Sequence, residues 1–529
     1  MIKRITLDLS LHTQETKTLA MQRRKFIQLS GAGSLLATVN PLTAAVLTPS
    51  VATININPKP LFELNPHLYM QFMEPLGTTD SSVEASWDHA KNDWKPTLIN
   101  VTKELSPGMM RWGGNLSAYY KWREGVGPRD KRVPFLNTDW GGIESSQIGT
   151  AEFVDFCKRV GGADPLVCVN FESDGMKRYA INGRGENRSG NANEAAEWVD
   201  YCNNPSNKER ISHGFKEPLT IKHWQLGNET SYRPGKGFDN ITAAKKTVEF
   251  AKAMHAVDSD LKFIGWGDSG WTKTLMDEAG SHLNYVAFHH MFDPGEGLQN
   301  SPVRNNEYRK DPAATWEVLM NGYKIHEKKI NKMRDEVAPY KIPLALTECH
   351  YSIEGRNRCE VLSSWAAGVS YGRIMNLHER NGDVLKIATM ADFCGTRWQV
   401  NAVMIPVPEG EAFLMPTAKV MHLYRHHTGK QFINTTDVPA GLDITASRTG
   451  NTIYLHVVNT NRTQAIETNV RLNNGNFTSG KAFELSADST YEIMSAHSDI
   501  LQIKERPVDT KTPFAFAPAS VTAVELIMA

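Results

Sequence analysis

From about residue 66 to 425, short apolar runs alternate with segments whose apolar positions recur at helical spacing. The runs are HLYMQFME, GMMRWGGN, PLVCVNFE, IKHWQLGNE, KFIGWGDS, YVAFHHM, PLALTECH and LKIATMADF. Between them, Phe153, Phe156, Cys157 and Val160 share one helical face, and Ile241, Ala244, Val248 and Ala251 share another. Alternating β and α segments predict a parallel sheet, and eight such units predict an α/β fold of the closed (β/α)8 TIM-barrel type over residues 66–428. After Gly429 the period changes to two. LDITASRTGNTIYLHVVNTNRTQAIETNVRL alternates between Gly-Asn and Asn-Arg turn signals, and ASVTAVELIM closes the chain. That pattern predicts an antiparallel β-sandwich over residues 429–529. Residues 51–65, including TININPKPLFEL, alternate in the same way and are expected to join it as an extra strand.

The strand endings carry the first chemical signal. In order, the eight runs reach Glu74, Asn115, Asn170, Asn228-Glu229, Asp268, His289, Glu348 and Asp392. Within a barrel wall each polar group would cost several kcal/mol unless paired. At the C-terminal mouth, where barrel active sites form, they converge on one pocket. Any one of them alone reads equally well as the first residue of a loop.

Composition narrows the classes. Hydrophobic residues make up 40% and charged residues 22% of 529, which excludes a disordered or collagen-like chain. Lys+Arg and Asp+Glu both total 58, so no basic excess points to nucleic acid. No run after the N-terminus is long and apolar enough for a membrane span. Cys157, Cys168, Cys202, Cys349, Cys359 and Cys394 form no CxxC pair and sit in apolar patterns, so they read as buried thiols, not as metal ligands. MQRRKFIQLSGAGSLLATVNPLTAAV, from Met21, has Arg23-Arg24, Phe26-Ile27, a weakly apolar run and Thr43-x-Ala45. Residues 1–45 are therefore expected to be a twin-arginine-like export signal, leading to a periplasmic or extracellular protein.

Glu229 and Glu348 each end an apolar strand, the fourth and the seventh, on different sides of the predicted mouth. Paired carboxylates are what glycoside hydrolysis needs. One protonates the leaving oxygen and the other attacks the anomeric carbon or activates water. The gap between them, about 5–5.5 Å or wider, separates retention from inversion.

LSPGMMRWGGNLSAYYKWREGVGPRDKR, YCNNP, HGFKEPLTIKHWQLGNE and APASVTAVEL resemble glycoside hydrolase family 51, the α-L-arabinofuranosidases, in the clan of retaining barrel glycosidases. The resemblance covers roughly residues 51–529. It implies an exo-acting, two-step retaining enzyme without metal or other cofactor, acting on arabinose-containing oligo- or polysaccharide, and a possible homo-oligomer. It implies Glu229 as general acid/base and Glu348 as nucleophile. Asn228 is then expected at the sugar 2-hydroxyl, with Glu74, Asn115 and His289 as further sugar ligands. For these roles Glu229 must hold its proton near neutral pH, through an apolar setting and the negative charge of Glu348. Once Glu348 is esterified that charge is gone, and Glu229 can act as base.

The chain also departs from the family. It has Trp112-Gly113-Gly114-Asn115 without the usual proline, His290-Met291 where x-Tyr usually follows the sixth-strand histidine, Cys349-His350-Tyr351 where tryptophan is preferred, and Asp392 where glutamine is common on the eighth strand. These changes surround the −1 subsite and leave open another furanosidase, a xylosidase or an endo-glucanase. A metal-dependent hydrolase built on His289, His290, Glu348 and His350 lacks an H-E-x-x-H spacing, and a sugar-binding protein would have no use for both glutamates. Structural readings compete at single positions. Glu74 could pair with Arg111, Asn115 could be a turn residue, Trp112 and Trp122 could be core, His289 and His290 could be structural, and Arg129-Asp130 could clamp a loop. The sandwich, lacking an exposed aromatic row, is expected to pack on the barrel and complete the fold.

Overall fold

The computed structural model describes residues 51–74, 83–407, 410–496 and 500–529. The expected export signal over 1–45 lies outside the described residues. Parallel strands Gln71–Met73, Met109–Trp112, Asp164–Cys168, His223–Leu226, Lys262–Trp266, Tyr285–Phe292, Leu344–Tyr351 and Leu385–Ala388 pair in chain order. The ring closes where Met70 N donates to Ala388 O at 2.9 Å and where Asp392 pairs with Phe72. The chain is thus a (β/α)8 barrel followed by a β-sandwich.

Two layers inside the barrel explain its sequence. Met70, Met109, Leu166, Ile264, Ala287, Ala345 and Ile387 fill the lower interior. Side chains alternate along a strand, so Arg111, two residues beyond Met109 of that layer, also points inward, where it meets Gln225 of the fourth strand. Both are fully buried, and Arg111 Nε donates to Gln225 Oε1 at 2.9 Å. Helix starts between the strands are capped by their own sequence. Asn191 accepts from Glu194 N and Asp239 from Thr242 N, and Glu152 accepts from Gly149 N, each satisfying a backbone donor the helix leaves unpaired. In the GPRD segment Arg129 lies over the Trp87 ring and exchanges hydrogen bonds with Gln147, and two residues beyond the segment Arg132 clamps the loop through Glu152, Gly127 O and Gln147 O. Trp112 and Trp122 are core.

The second sheet has nine strands in the order Lys504–Val508, Phe477–Leu485, Ser520–Met528, Thr452–Asn459, Leu442–Thr449, Gln431–Thr436, Thr53–Glu63, Ile466–Leu472 and Phe514–Phe516. Thr53–Glu63 pairs antiparallel with Gln431–Thr436 and parallel with Ile466–Leu472. Its Ile54 and Ile56 join Ile433, Leu455, Val457, Phe516, Val524 and Leu526 in one core. A second core runs from the barrel into Val458, Leu485, Val521 and Ala523 of the sandwich. Helix Trp365–Arg380 lies at this junction and is buried along almost its whole length. Its Trp365 Nε1 donates to Ala519 O at 2.6 Å. Arg373 and Arg380 pair with Asp443 at 3.1 and 2.7 Å. The Glu379 carboxylate accepts from Tyr69, Thr445 and His456.

Candidate active site

Glu229 follows Gly227 (φ +87°) and itself has φ +54°. A residue with a side chain seldom adopts this left-handed backbone. It swings the carboxylate off the end of the fourth strand toward the seventh. There a bulge lets His289 pair with Glu348 while Phe288 pairs with Leu346, leaving Thr347 as the extra residue. Thr347 Oγ1 lies 2.8 Å from His289 Nε2. His289 Nδ1 is 3.0 Å from Glu229 Oε1 and 3.6 Å from Glu348 Oε2. One oxygen of Glu229 and one of Glu348 lie within 4.8 Å of each other and of His289.

Arg111 ties the group together. Its Nη1 donates to Glu348 Oε1 at 2.8 Å and its Nη2 to Asn228 Oδ1 at 2.7 Å. The Asn228 amide nitrogen faces Asn115 Oδ1 at 3.4 Å. Glu74 does not pair with Arg111; its Oε1 accepts from Leu116 N at 3.2 Å. Gly114 packs beneath it at φ +99°, where a Cβ would stand 2.5 Å from the Glu74 carboxyl carbon. Gly114, which the chain shares with the family pattern, thus leaves room for that carboxylate.

Of the other strand-end residues, Asn170 donates to Tyr120 O and Arg188 O and serves its own loop. Asp268 is buried beneath the site. It accepts from Tyr232 at 2.7 Å, from His289 N at 3.3 Å and from Lys329. His290 points away, its Nδ1 2.7 Å from His326, which in turn meets His378 at 2.8 Å. Arg111, Gln225 and Tyr232 were not among the sequence candidates. Arg111 had left a trace there, as a charge on an apolar strand at an inward-facing position.

The electrostatics separate the two glutamates. Burial pushes Glu229 up to about 7. Arg233 and Arg111 oppose the rise, and Asp139 and Asp268 add to it. Burial also raises Glu348, against His289 and Arg111 and with Glu229. Glu74 is held well above the usual carboxylate range by burial and then by Glu348. Burial drives His289 down to about 3, leaving a neutral imidazole. Glu229, His289 and Glu348 could each offer a metal one ligand atom. A cation there would compete with the Arg111 guanidinium already paired to Glu348.

A closed barrel with two carboxylates meeting across its mouth is the architecture of the barrel glycoside hydrolases. Comparison with known proteins agrees. The model of the α-L-arabinofuranosidase 1 domain matches residues 101–310. The chain is 30% identical over 249 residues to an intracellular exo-α-(1→5)-L-arabinofuranosidase of Halalkalibacterium halodurans, covering 43% of this chain and 45% of that one. It is 32% identical over 233 residues to a probable α-L-arabinofuranosidase C of Aspergillus niger, covering 41% and 42%. The match therefore spans less than half the length of these relatives. Solved family 51 α-L-arabinofuranosidases from Thermotoga petrophila and Bifidobacterium longum superpose with TM-scores of 0.71 and 0.73 at 20% identity, each covering 90% of this chain and 99% of the other. The resemblance to glycoside hydrolase family 51 is thus borne out by motif, family model and fold.

One expectation is corrected. Relatives from Halalkalibacterium halodurans, Acetivibrio thermocellus and Streptomyces lividans are named intracellular enzymes, which overturns the expected periplasmic or extracellular location. Among the described residues no helix is long and apolar enough to cross a membrane.

Proposed function

We propose that this protein is a retaining, exo-acting α-L-arabinofuranosidase that releases arabinose from arabinose-containing oligo- or polysaccharides. The observation that carries the reading is the approach of Glu229 and Glu348 to within 4.8 Å. That is near the separation of about 5–5.5 Å used for double displacement and short of the roughly 6.5–9.5 Å that leaves room for an attacking water.

In the first step Glu229 protonates the glycosidic oxygen as Glu348 attacks the anomeric carbon. The leaving alcohol departs, and a glycosyl ester of Glu348 remains. In the second step Glu229 takes a proton from water, the oxygen attacks the same carbon, and the ester bond breaks to free Glu348. Arg111 favours the ionised nucleophile through its hydrogen bond. With the acceptor Oδ1 of Asn228 held by Arg111 and one amide hydrogen directed at Asn115, the other amide hydrogen is left to donate to the sugar. Glu74 and Asn115 supply acceptors, and His289 holds Glu229. The barrel, residues 66–428, carries this chemistry; residues 429–529 with strand 51–65 complete its core.

The test is hydrolysis of an aryl α-L-arabinofuranoside by wild type, Glu229→Ala and Glu348→Ala, with azide added. Retention requires wild type to release the sugar with its original anomeric configuration. Azide should rescue Glu229→Ala with retained configuration and Glu348→Ala with inverted configuration. An inverted wild-type product would overturn the mechanism. Turnover confined to another glycoside would overturn the sugar but not the reaction class.

A further inference from the structure

We propose that Thr347 is a positioning residue: by donating to His289 Nε2 it fixes that ring's hydrogen on Nδ1, and so confines the transferable proton of Glu229 to Oε2. This rests on the glycosidase reading above. Thr347 is the extra residue of the bulge on the seventh strand and has no solvent exposure. Its Oγ1 lies 2.8 Å from His289 Nε2, and on the other side of the ring His289 Nδ1 lies 3.0 Å from Glu229 Oε1. Further contacts hold this line of groups. The Trp266 ring meets the His289 ring edge-on at 4.6 Å. Asp268 Oδ2 accepts from His289 N at 3.3 Å and from the Tyr232 hydroxyl at 2.7 Å. Tyr232 N in turn donates to Glu229 O at 3.0 Å, closing the left-handed turn that carries the acid. The hydrogen bonds among the described residues engage the Glu229 carboxyl at Oε1 only, which leaves Oε2 to the substrate.

Burial drives the His289 ring down to about 3 and leaves it neutral, so one of its two nitrogens carries a hydrogen and the other a lone pair. A threonine hydroxyl can donate or accept, so the choice is made at the carboxyl end. There Nδ1 faces two carboxyl oxygens, Glu229 Oε1 at 3.0 Å and Glu348 Oε2 at 3.6 Å. Glu348 already accepts from Arg111, and a hydrogen on Nδ1 suits both oxygens. Nε2 then presents the lone pair, and Thr347 is its donor. In the first step Glu229 holds its proton on Oε2 and gives it to the leaving oxygen. In the second step Oε2 takes a proton from water, and the Nδ1 hydrogen stays on the ring throughout. With the opposite tautomer Nδ1 would accept the Glu229 proton through Oε1 and hold it away from the glycosidic oxygen.

The experiment compares wild type, Thr347→Val and Thr347→Ser. Valine keeps the shape of threonine without its hydroxyl, and serine keeps the hydroxyl. Each is assayed on an aryl α-L-arabinofuranoside of low leaving-group pKa and on an alkyl α-L-arabinofuranoside, whose leaving oxygen needs the proton. Thr347→Val should lose roughly tenfold or more in kcat/KM on the alkyl glycoside, the range for a buried hydrogen-bonding group left unpaired. On the aryl glycoside it should lose only a few-fold. Thr347→Ser should recover most of the loss. Nitrogen NMR of the histidine rings, with His289 assigned by its loss in His289→Asn, reads the tautomer without any substrate. Wild type should show Nδ1 protonated and Nε2 bare. Melting curves show whether Thr347→Val folds, and the wild-type ring signals carry the test if it does not. A wild-type ring protonated at Nε2, or a Thr347→Val that loses nothing or loses equally on the two glycosides, would overturn the assignment and leave the glycosidase reading intact. Wild type inert on both glycosides would overturn both.

Discussion

Arg111 donates to Glu348 Oε1 at 2.8 Å from a position with no solvent exposure. A buried cation has few ways to be stable, and here carboxylate, amide and amide oxygens satisfy its three nitrogens. Removing it leaves a buried carboxylate unpaired, at about 3–5 kcal/mol. Arg111→Met is expected to lower the melting temperature by several degrees and kcat/KM by roughly a hundredfold or more. The acidic limb of the pH–rate profile should move up, because Glu348 loses its cation. Arg111→Lys should recover part of the stability but little of the rate, since an ammonium cannot make the forked contact.

Glu229, raised to about 7 by burial, is expected to set the alkaline limb. The proposed mechanism needs its protonated form in the first step, so kcat/KM should fall as pH rises through that value. Glu229→Gln should abolish the limb. Its rate loss should be smaller for aryl leaving groups of low pKa, which need no proton, than for oligosaccharides. A limb that persists in the variant would assign it elsewhere.

Acid stability should be limited by buried neutral histidines. Burial holds His289 and His378 near about 3 and His290 near about 4, and keeps His326 well below its ordinary value. The unfolded chain binds protons at these sites below about pH 6.5 while the folded chain does not. Stability is therefore fully present above that value and lost as pH falls toward the folded values. Glu379 adds a loss at lower pH. Burial raises it, but His456, Thr445 and Tyr69 outweigh this and leave it below its usual value. Denaturation followed between pH 7 and 4 should show net proton uptake on unfolding near pH 5, and His326→Leu should change that uptake.

The sandwich is expected to be indispensable. Helix Trp365–Arg380 is buried between the two sheets, and Asp443 pairs with both Arg373 and Arg380 across the junction. A chain ending at residue 429 should be insoluble or unfolded, and Asp443→Ala should cost several degrees in melting temperature. A soluble, active truncation would show that the barrel folds without its partner sheet.

The eight strands and the change of period after Gly429 were legible in the sequence, but three of the expected strand ends were not ends. The sixth and seventh strands run past His289 and Glu348 to Phe292 and Tyr351, and Asp392 opens a separate short strand. What was legible rests on local physics: apolar spacing, strand alternation and the cost of polar groups inside a wall. Glu229 and Glu348 stood out in the sequence for the same reason, since each places a carboxylate in or just after an apolar run. What belongs to the tertiary structure is which strand-end groups meet. Asn170 and His290 look no different from Asn228 and His289 in the sequence, yet their loops and helices draw them away. Arg111 is chosen as the cation because barrel closure brings its strand opposite both Asn228 and Glu348, at sequence separations of 117 and 237. The approach of the two glutamates to within 4.8 Å likewise depends on a left-handed turn and a bulge on different strands. Such distances depend on sheet closure across hundreds of residues, which periodicity along the chain does not encode.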